Sequence, residues 1–369
     1  MRKRHLIFTL VTFVFAFMFV RCVDDTENPQ RESILPTAFN VEVPTSLAST
    51  SGLKAGDLSV SGNDLYEMMR AFVFVGHSSA AIIHEFIGVI ALYQIDEPME
   101  FKYISGDDDR AKELIVTANE TFENIKYEYK MVVRDIQNPL DPATGLEMYW
   151  NRTPENGIAI MQFSNLNRTD AENIDARIRI DYSESSSTYD KQMIVSIAGL
   201  DIDGVNDNVD NLKMFVGKKG DRLDVYGNAN LPDYQIIDKT HLNGYNWAFV
   251  AHVDDSKNIS VAKVALPPTT VSNNTNLFTT YAMKTVLEKE IKIQYPDFAD
   301  AQILINDILA NSDAPAYFNA NGFISCGTTI PSGFTTEFID LSSMNTYTPV
   351  AINALRIPFS DEDPIYVNQ

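Results

Sequence analysis

The sequence contains few cysteines and histidines, and both shortages restrict the chemistry that it can support. Among 369 residues there are two cysteines, Cys22 and Cys326, and five histidines. Cys22 directly follows an apolar N-terminal segment, and if it is used there Cys326 has no partner, so no disulfide framework is expected. The cysteines are far apart and the histidines are scattered, which does not match the ligand spacing of a zinc site. We therefore expect no metal ion and no cofactor.

Basic residues are also scarce. The chain has 29 Lys and Arg against 50 Asp and Glu, and its formal net charge is −21 at pH 7. Phosphates repel such a surface at long range, which argues against nucleic acid as a partner. An acidic surface also keeps a secreted protein soluble, and this is the simpler explanation of the charge. Because hydrophobic residues make up 45% of the chain, a sizeable core is available and global disorder is not expected.

The N-terminus has the organisation of an export signal. Three basic residues at positions 2–4 precede an uncharged run, residues 6–20, which has signal-peptide length and is short for a membrane span of about 20 residues. Cys22 follows this run, and three acidic residues follow the cysteine: Asp24, Asp25 and Glu27. This order resembles the signal of bacterial lipoproteins, in which the cysteine becomes the lipidated first residue of the mature chain.

The acidic residues after Cys22 are similar to the surface-export signal of Bacteroidota-type lipoproteins. The resemblance covers about the first 28 residues, and it implies a signal peptide at 1–21, lipid attachment at Cys22 and a surface-exposed outer-membrane lipoprotein. The membrane is then a partner through the lipid anchor. Because Phe19, Val20 and Arg21 stand where this signal usually has small residues, an uncleaved anchor and ordinary cleavage stay open as alternatives.

Residues 22–62 are predicted to form the lipidated N-terminus and a flexible tether. This segment holds three prolines and many Ser and Thr residues. Such a composition buries too little apolar area to offset the entropy lost on ordering. A tether of this kind would let the folded domain stand away from the membrane.

The most apolar stretch after the signal lies between Asn63 and Gln94. Its spacing predicts two helices separated by a break at Gly76-His77-Ser78-Ser79, with Ser79 as the cap of the second helix. Apolar residues occupy most sides of both segments, and helices of this type are normally buried. We therefore expect a helix pair at the centre of the fold.

From Phe101 onward, apolar and polar residues alternate in about ten segments joined by short turns. Strict alternation places one face of a sheet on a core and the other in water, and a sheet this long tends to curl. After Pro267-Pro268 the pattern predicts two helices, and then short strands at 322–326, 335–341 and 351–359.

The predicted fold class is α+β. A large curved antiparallel β-sheet of about ten strands, in a meander, packs on the apolar N-terminal helix pair within residues 63–268. Residues 269–369 contribute a C-terminal helical segment and short strands that pack on the same domain. We find no internal repeat at a fixed period.

Ser78 is the one candidate nucleophile. Gly76-His77-Ser78-Ser79-Ala80 is similar to the nucleophile elbow of α/β-hydrolases, with His241 or His252 as later partners. That elbow needs a parallel sheet, whereas the strands here predict a meander. A helix break with a capping serine is the simpler interpretation.

Two acidic segments and a histidine pair are candidates for metal sites. His84-Glu85 is half of an H-E-x-x-H motif, but residue 88 is Gly, so a metalloprotease is not supported. Residues 201–211 are rich in oxygen ligands that calcium prefers, but Gly204 is in the fourth position and Leu212 in the twelfth, which favours an Asx-rich hairpin loop. Asp107-Asp108-Asp109 is predicted to be a solvated turn and helix start.

Buried histidines that form hydrogen bonds are the simpler expectation for His77 and His84, which lie two helical turns apart. Four aromatic residues are candidates for a carbohydrate-binding surface: Tyr149, Trp150, Tyr245 and Trp247. Both tryptophans lie in the apolar phase of their strands, which favours core packing.

The sequence thus predicts an exported, lipid-anchored envelope protein that acts as a non-catalytic binding or interaction module. Its expected partner is an unknown protein or a small hydrophobic ligand. A carrier of a hydrophobic molecule between sheet and helices is one alternative, because a curved sheet over helices is similar to bacterial lipoprotein-carrier folds. A serine hydrolase that uses Ser78 and a structural or fimbrial subunit are the others.

Overall fold

The computed structural model describes residues 33–50, 62–168, 176–184, 186–200, 211–231, 245–268, 276–344, 347, 349, 352 and 355–362. These residues belong to two compact units. The first unit comprises the described residues within 33–40, 78–184 and 358–362. The second unit comprises the described residues within 41–77 and 185–357.

In the described part of the chain, thirteen β-strands follow one another in sequence order as an antiparallel meander. The strands of the first unit are β1 Met99–Ile104, β2 Ala111–Phe122, β3 Ile125–Asp135, β4 Ala143–Arg152, β5 Glu155–Gln162 and β6 Arg177–Glu184. Those of the second unit are β7 Lys191–Ala198, β8 Asn211–Lys219, β9 Arg222–Leu231, β10 Tyr245–Asp254, β11 Ile259–Ala265, β12 Ala316–Asn319 and β13 Gly322–Cys326. The predicted antiparallel meander is confirmed, with more strands than the ten expected and with β-structure predominating.

The helices are fewer and shorter than the strands, apart from the first one. They are α1 Gly62–Ala91, α2 Phe163–Leu166, α3 Leu277–Thr280, α4 Met283–Gln294 and α5 Phe298–Ile308, and a 3-10 turn covers Ser342–Met344. The last three helices confirm the predicted C-terminal helical segment, although two helices were expected, and β13 confirms the strand at 322–326. The predicted strand at 335–341 is wrong, because no strand forms there and 336–339 are turn residues. The predicted strand at 351–359 is also wrong in its described part, because 355–359 are in no strand.

The predicted helix pair is also wrong, because α1 is one continuous helix of 30 residues. A glycine in a helix costs only about 1 kcal/mol relative to alanine, so packing can override this break signal. Within the second unit α1 passes close to β8 at Gly76, since a Cβ at this position would lie 2.6 Å from Cε of Met214. By length and composition alone α1 could also cross a membrane.

The part of α1 that belongs to the second unit, residues 62–77, meets aromatic side chains of that unit. Phe72 packs edge to face on Trp247 of β10, with ring centroids 5.5 Å apart, and both side chains are fully buried. Tyr66 stacks on Phe323 of β13 at 6.4 Å, and its hydroxyl donates to the carbonyl of Asp313. Burial of this apolar surface, at roughly 25 cal/mol per Å², is the main term that holds the helix in place.

Residues 33–50 differ from the predicted tether, because many of their side chains are buried. In the first unit, Trp150 Nε1 donates to the carbonyl of Ile34 at 2.8 Å, and the Glu155 carboxylate accepts from the backbone of Ala38 at 2.6 Å. In the second unit, Ser260 Oγ donates to the carbonyl of Ser46 at 3.0 Å. The polar composition of 22–62 as a whole hides the apolar residues that dock this part of it: Ile34, Leu35, Phe39, Val41, Val43 and Leu47.

Candidate functional site

Several of the residues singled out in the sequence lie outside the described residues. These are the lipid-attachment residue Cys22, the calcium candidate 201–210 and His241. Elsewhere in the described ranges, no group of three or more His, Cys, Asp or Glu side chains is arranged to hold a metal ion.

Ser78 lies inside α1, with helical residues on both sides. A nucleophile elbow requires a sharp turn between a strand and a helix, so the elbow interpretation is wrong. His77 Nε2 instead lies 2.9 Å from Oε2 of Glu42. No described histidine forms a hydrogen bond with the Ser78 hydroxyl, and the chemistry of a serine hydrolase has no geometric basis there.

Three of the four aromatic residues considered as a carbohydrate surface are in the core, and the side chain of Tyr245 lies outside the described part of the structure. Trp150 and Trp247 are fully buried, as their phase in the strands predicts, and Tyr149, in the opposite phase to Trp150, is almost fully buried as well. The Nδ1 atom of His84 is buried and has no hydrogen-bond partner within the described residues, which differs from the expected satisfied histidine.

A buried ionic cluster joins the start of β2 to the end of β3 in the first unit. Lys112 Nζ lies 2.8 Å from Oδ2 of Asp108 and 2.9 Å from Oδ2 of Asp135, and all three residues are at most 5% exposed. Arg110 donates to both carboxylate oxygens of Asp135. The predicted turn is present at 106–108, but Asp108 is buried in it rather than solvated, and the predicted helix start is wrong because strand β2 follows.

The pKa values of both carboxyl groups in this cluster are lowered. Burial by itself raises the pKa of Asp135, but hydrogen bonds from Arg110 and Lys112 outweigh it and hold the pKa well below the usual range. The same balance, with Lys112 as the main donor, lowers the pKa of Asp108. Since every charge has an opposite partner, the cluster has a structural role and no group is poised for proton transfer.

A second polar cluster holds the C-terminal segment against β3 and β4. The backbone N–H of Ser360 donates to Oε2 of Glu147 at 2.7 Å, and its hydroxyl donates to the same carboxylate. Lys130 Nζ lies 2.8 Å from Oε1 of Glu147 and 3.1 Å from Oγ of Ser360. Burial tends to lower the pKa of Lys130, but the hydrogen bonds and charges of Glu147 and Tyr149 together outweigh burial and raise the pKa. Lys130 is then protonated at neutral pH and cannot act as a general base for Ser360.

A pocket of about 270 Å³ lies beside this segment. The cationic group that lines the pocket is the Arg177 guanidinium, and it already has partners within the chain. It pairs with Glu362, donates to Gln162 at 2.8 Å and lies 4.7 Å from the ring centroid of Phe359. This volume is below the range of most small-molecule sites, about 300–1,000 Å³. The remaining lining is formed by Pro142, Ala143, Thr144, Asn165 and Asp361.

His252 is the buried histidine of the second unit. Its Nδ1 lies 3.0 Å from the carbonyl oxygen of Phe338, and its Nε2 lies 3.3 Å from Oδ1 of Asp224. Burial lowers the pKa of His252, and the nearby Arg222 cation lowers it further. The neutral ring donates Nδ1–H to the carbonyl and anchors the segment that contains Phe338. Among the described residues no serine or cysteine forms a hydrogen bond with the ring, so no nucleophile is placed for activation by it.

Within the described part of the first unit, the outer edge of β1 is a strand edge without a paired strand. β1 is the first strand in the sheet order and pairs only with β2. The Ser105 N–H donates to the Arg110 carbonyl at 2.9 Å, which continues the β1–β2 register. Backbone groups alternate in direction along an antiparallel strand, so those of Met99, Phe101 and Tyr103 point to β2. The N–H and C=O groups of Glu100, Lys102 and Ile104 consequently point outward.

Aromatic side chains lie next to one another at β1. Tyr93 follows α1 and lies 5.2 Å from the ring of Phe101, which lies 5.9 Å from the ring of Tyr103. Leu92, Tyr93 and Ile104 are 76%, 48% and 67% exposed. We call Leu92, Tyr93 and β1 together the β1 edge. Within the described residues no backbone group bonds to the outer side of β1. This surface was not predicted from the sequence, although the first strand of a meander is necessarily at an edge of the sheet.

Comparisons with known proteins do not assign the chain to a family. No protein-family model matches it, and no curated protein or solved structure matches it significantly.

Proposed function

We propose that this chain is an exported, lipid-anchored protein of a bacterial cell envelope and that it acts as a non-catalytic binding module. The export and anchoring part rests on the N-terminal sequence, with its basic start, uncharged run, Cys22 and following acidic residues. The surface-exposed outer-membrane location belongs to the same proposal.

The observation that carries the binding role is the β1 edge. Proteins normally protect the end strands of their sheets, because unpaired N–H and C=O groups accept any extended segment as a further strand. Here the outward groups of Glu100, Lys102 and Ile104 lie beside exposed apolar side chains. An added strand would therefore gain backbone hydrogen bonds and contacts with Tyr93 and Phe101, which is the mode of peptide recognition called β-augmentation.

The side chains that could act as a base or a nucleophile support a non-catalytic role. Lys130 is protonated and fixed by Glu147, His252 is neutral and bonded to a backbone carbonyl, and Ser78 lies in a helix. We prefer the binding module to the hydrophobic carrier because a Cβ added at Gly76 would lie 2.6 Å from Cε of Met214 and 3.1 Å from Cδ2 of Leu212, so α1 and β8 are too close at that point to hold an acyl chain between them.

The proposal is tested by placing a photo-crosslinking amino acid at Lys102 in the full chain, in intact cells. Lys257 is the matched control, because its side chain and that of Lys102 are both 61% exposed and it lies in a hairpin of the second unit. We expect a covalent protein adduct from position 102 and none from position 257. If position 102 yields no more adduct than position 257, the β1 edge is not a contact surface.

A further inference from the structure

We infer that the partner of the β1 edge is a second copy of this chain, paired antiparallel with the first across a two-fold axis at Phe101. This inference rests on the proposed role of the β1 edge as a contact surface. It adds the identity of the partner and the register of the two strands.

The backbone directions limit the register. Only even-numbered residues of β1 direct their N–H and C=O groups outward, so even residues of one copy must lie opposite even residues of the other. Two-fold axes at Phe101 or Lys102 satisfy this condition and pair most residues of β1 with β1 of the second copy. Axes elsewhere pair only a few residues of β1 and leave the rest of the edge open.

The charges then select between these two registers. An axis at Lys102 would place the two Lys102 side chains directly opposite each other, and like charges in this position destabilise a strand pair. An axis at Phe101 places Glu100 of each copy opposite Lys102 of the other. Each such pair also exchanges two backbone hydrogen bonds, and the N–H of Ile104 meets the carbonyl of Pro98 in the second copy.

The side chains of the other face agree with the same axis. Phe101 would lie opposite its own copy in a pair without direct hydrogen bonds, where Cα atoms are about 4.5 Å apart and side chains are closest. The aromatic row of Tyr93, Phe101 and Tyr103 would continue from one copy into the next. Met99 would lie opposite Tyr103. Aromatic groups thus meet aromatic and apolar groups, and acid meets base.

A lysine on an edge strand often prevents pairing with another strand, but Lys102 has the opposite charge of Glu100 two residues away on the same strand. It lies 3.2 Å from Glu113 of β2 and is exposed enough to reach across the edge as well. The net charge of −21 on each copy opposes association at long range. At physiological ionic strength this repulsion is screened beyond about 8 Å, whereas directly opposed residues still interact.

The first test is a charge exchange, measured by sedimentation velocity of the full chain in detergent at physiological salt and over a range of concentrations. We expect wild type to show a monomer–dimer equilibrium. Glu100→Lys turns two attractive pairs into repulsive ones and should weaken the dimer by roughly tenfold or more. The double change Glu100→Lys with Lys102→Glu restores opposite charges in this register and should restore the dimer. A wild type that stays monomeric, a Glu100→Lys variant that dimerises like wild type, or a double variant that is not rescued overturns the inference.

The second test fixes the register by oxidative cross-linking. Phe101→Cys is compared with Tyr103→Cys, both in a chain in which Cys22 and Cys326 are replaced by serine. Around an axis at Phe101 the two sulfurs introduced by Phe101→Cys can meet, whereas positions 103 are about 13 Å apart along the strands, beyond disulfide range. We expect rapid cross-linking at position 101 alone. Equal rates at the two positions, or none at position 101, contradict the register.

These outcomes separate the inference from the proposed function. In the photo-crosslinking experiment at Lys102, an adduct with twice the mass of the chain supports self-association. An adduct with a different protein keeps the binding role and refutes a second copy as the partner.

Discussion

Replacement of Lys112 by methionine should destabilise the first unit strongly. The change keeps most of the side-chain length but leaves Asp108 and Asp135 buried without the cation that lies within 3 Å of both. Breaking a buried ion pair by removing one partner typically costs about 3–5 kcal/mol. Arg110 still pairs with Asp135, and the backbone N–H of Arg168 still donates to Asp108 at 3.1 Å, so we expect a loss of about 3 kcal/mol.

The loss would be measured as the free energy of unfolding in urea at pH 7, with hydrogen exchange of β2 amides to localise it to the first unit. Lys126→Met on β3 is the matched control, because Lys126 is exposed and its replacement should change stability by less than about 0.5 kcal/mol. A loss below about 1 kcal/mol for Lys112→Met would refute the claim that the buried carboxylates of Asp108 and Asp135 require the Lys112 cation for stability.

The pH dependence gives an independent check. The pKa values of Asp108 and Asp135 are lowered from 3.8, so their stabilisation is present above pH 3.8 and is lost as the pH falls through the folded-state values. Without Lys112 the folded-state pKa values rise. The difference in stability between wild type and Lys112→Met should therefore be largest at neutral pH and shrink below about pH 4. A difference that is constant with pH would contradict the electrostatic explanation.

Three further changes test other parts of the structure. Gly157→Ala should cost about 1–3 kcal/mol in urea unfolding, because its Cβ would lie 2.2 Å from the Tyr149 carbonyl oxygen, whereas Gly106→Ala meets no atom within 4 Å and should be neutral. In the folded state the pKa of His252 lies below 6.5, so acid protonates the unfolded state first and stability should fall as the pH drops below 6.5. His252→Leu should lack this dependence of melting temperature on pH. If its thermal melts show the same pH dependence as wild type, His252 is not the source. Cys22→Ser should abolish lipid attachment in mass spectra of the mature N-terminus, and an unmodified Cys22 in wild type would remove the anchor from the proposal.

The meander was predictable because each of its strands pairs with its neighbours in sequence. The alternation of apolar and polar residues along β2, for example, shows which side chains face inward, and the short turn that follows places β3 antiparallel beside β2. The break assigned to Gly76-His77-Ser78-Ser79 failed for the opposite reason. It relied on a local signal, whereas the packing of α1 at Gly76 involves Met214, a residue far away in the chain.

The buried cluster had a signal in the sequence that was not used. Lys112 occupies the inward phase of β2 together with Leu114 and Val116, and a charged residue in that phase requires a partner. Asp108, four residues earlier, is a natural candidate. Asp135 could not be assigned from the sequence, because its position opposite Lys112 depends on the register between β2 and β3.

Backbone hydrogen exchange at the β1 edge tests the central claim most directly. In dilute solution the outward amides of Glu100 and Lys102 should exchange quickly, while those of Phe101 and Tyr103 are protected by β2 and serve as internal controls. In envelope membranes that contain the chain at its natural density, we predict that the amides of Glu100 and Lys102 become protected as well. If Lys102 exchanges equally fast in both states while Phe101 stays protected, the β1 edge is unoccupied and the binding role assigned to it is contradicted.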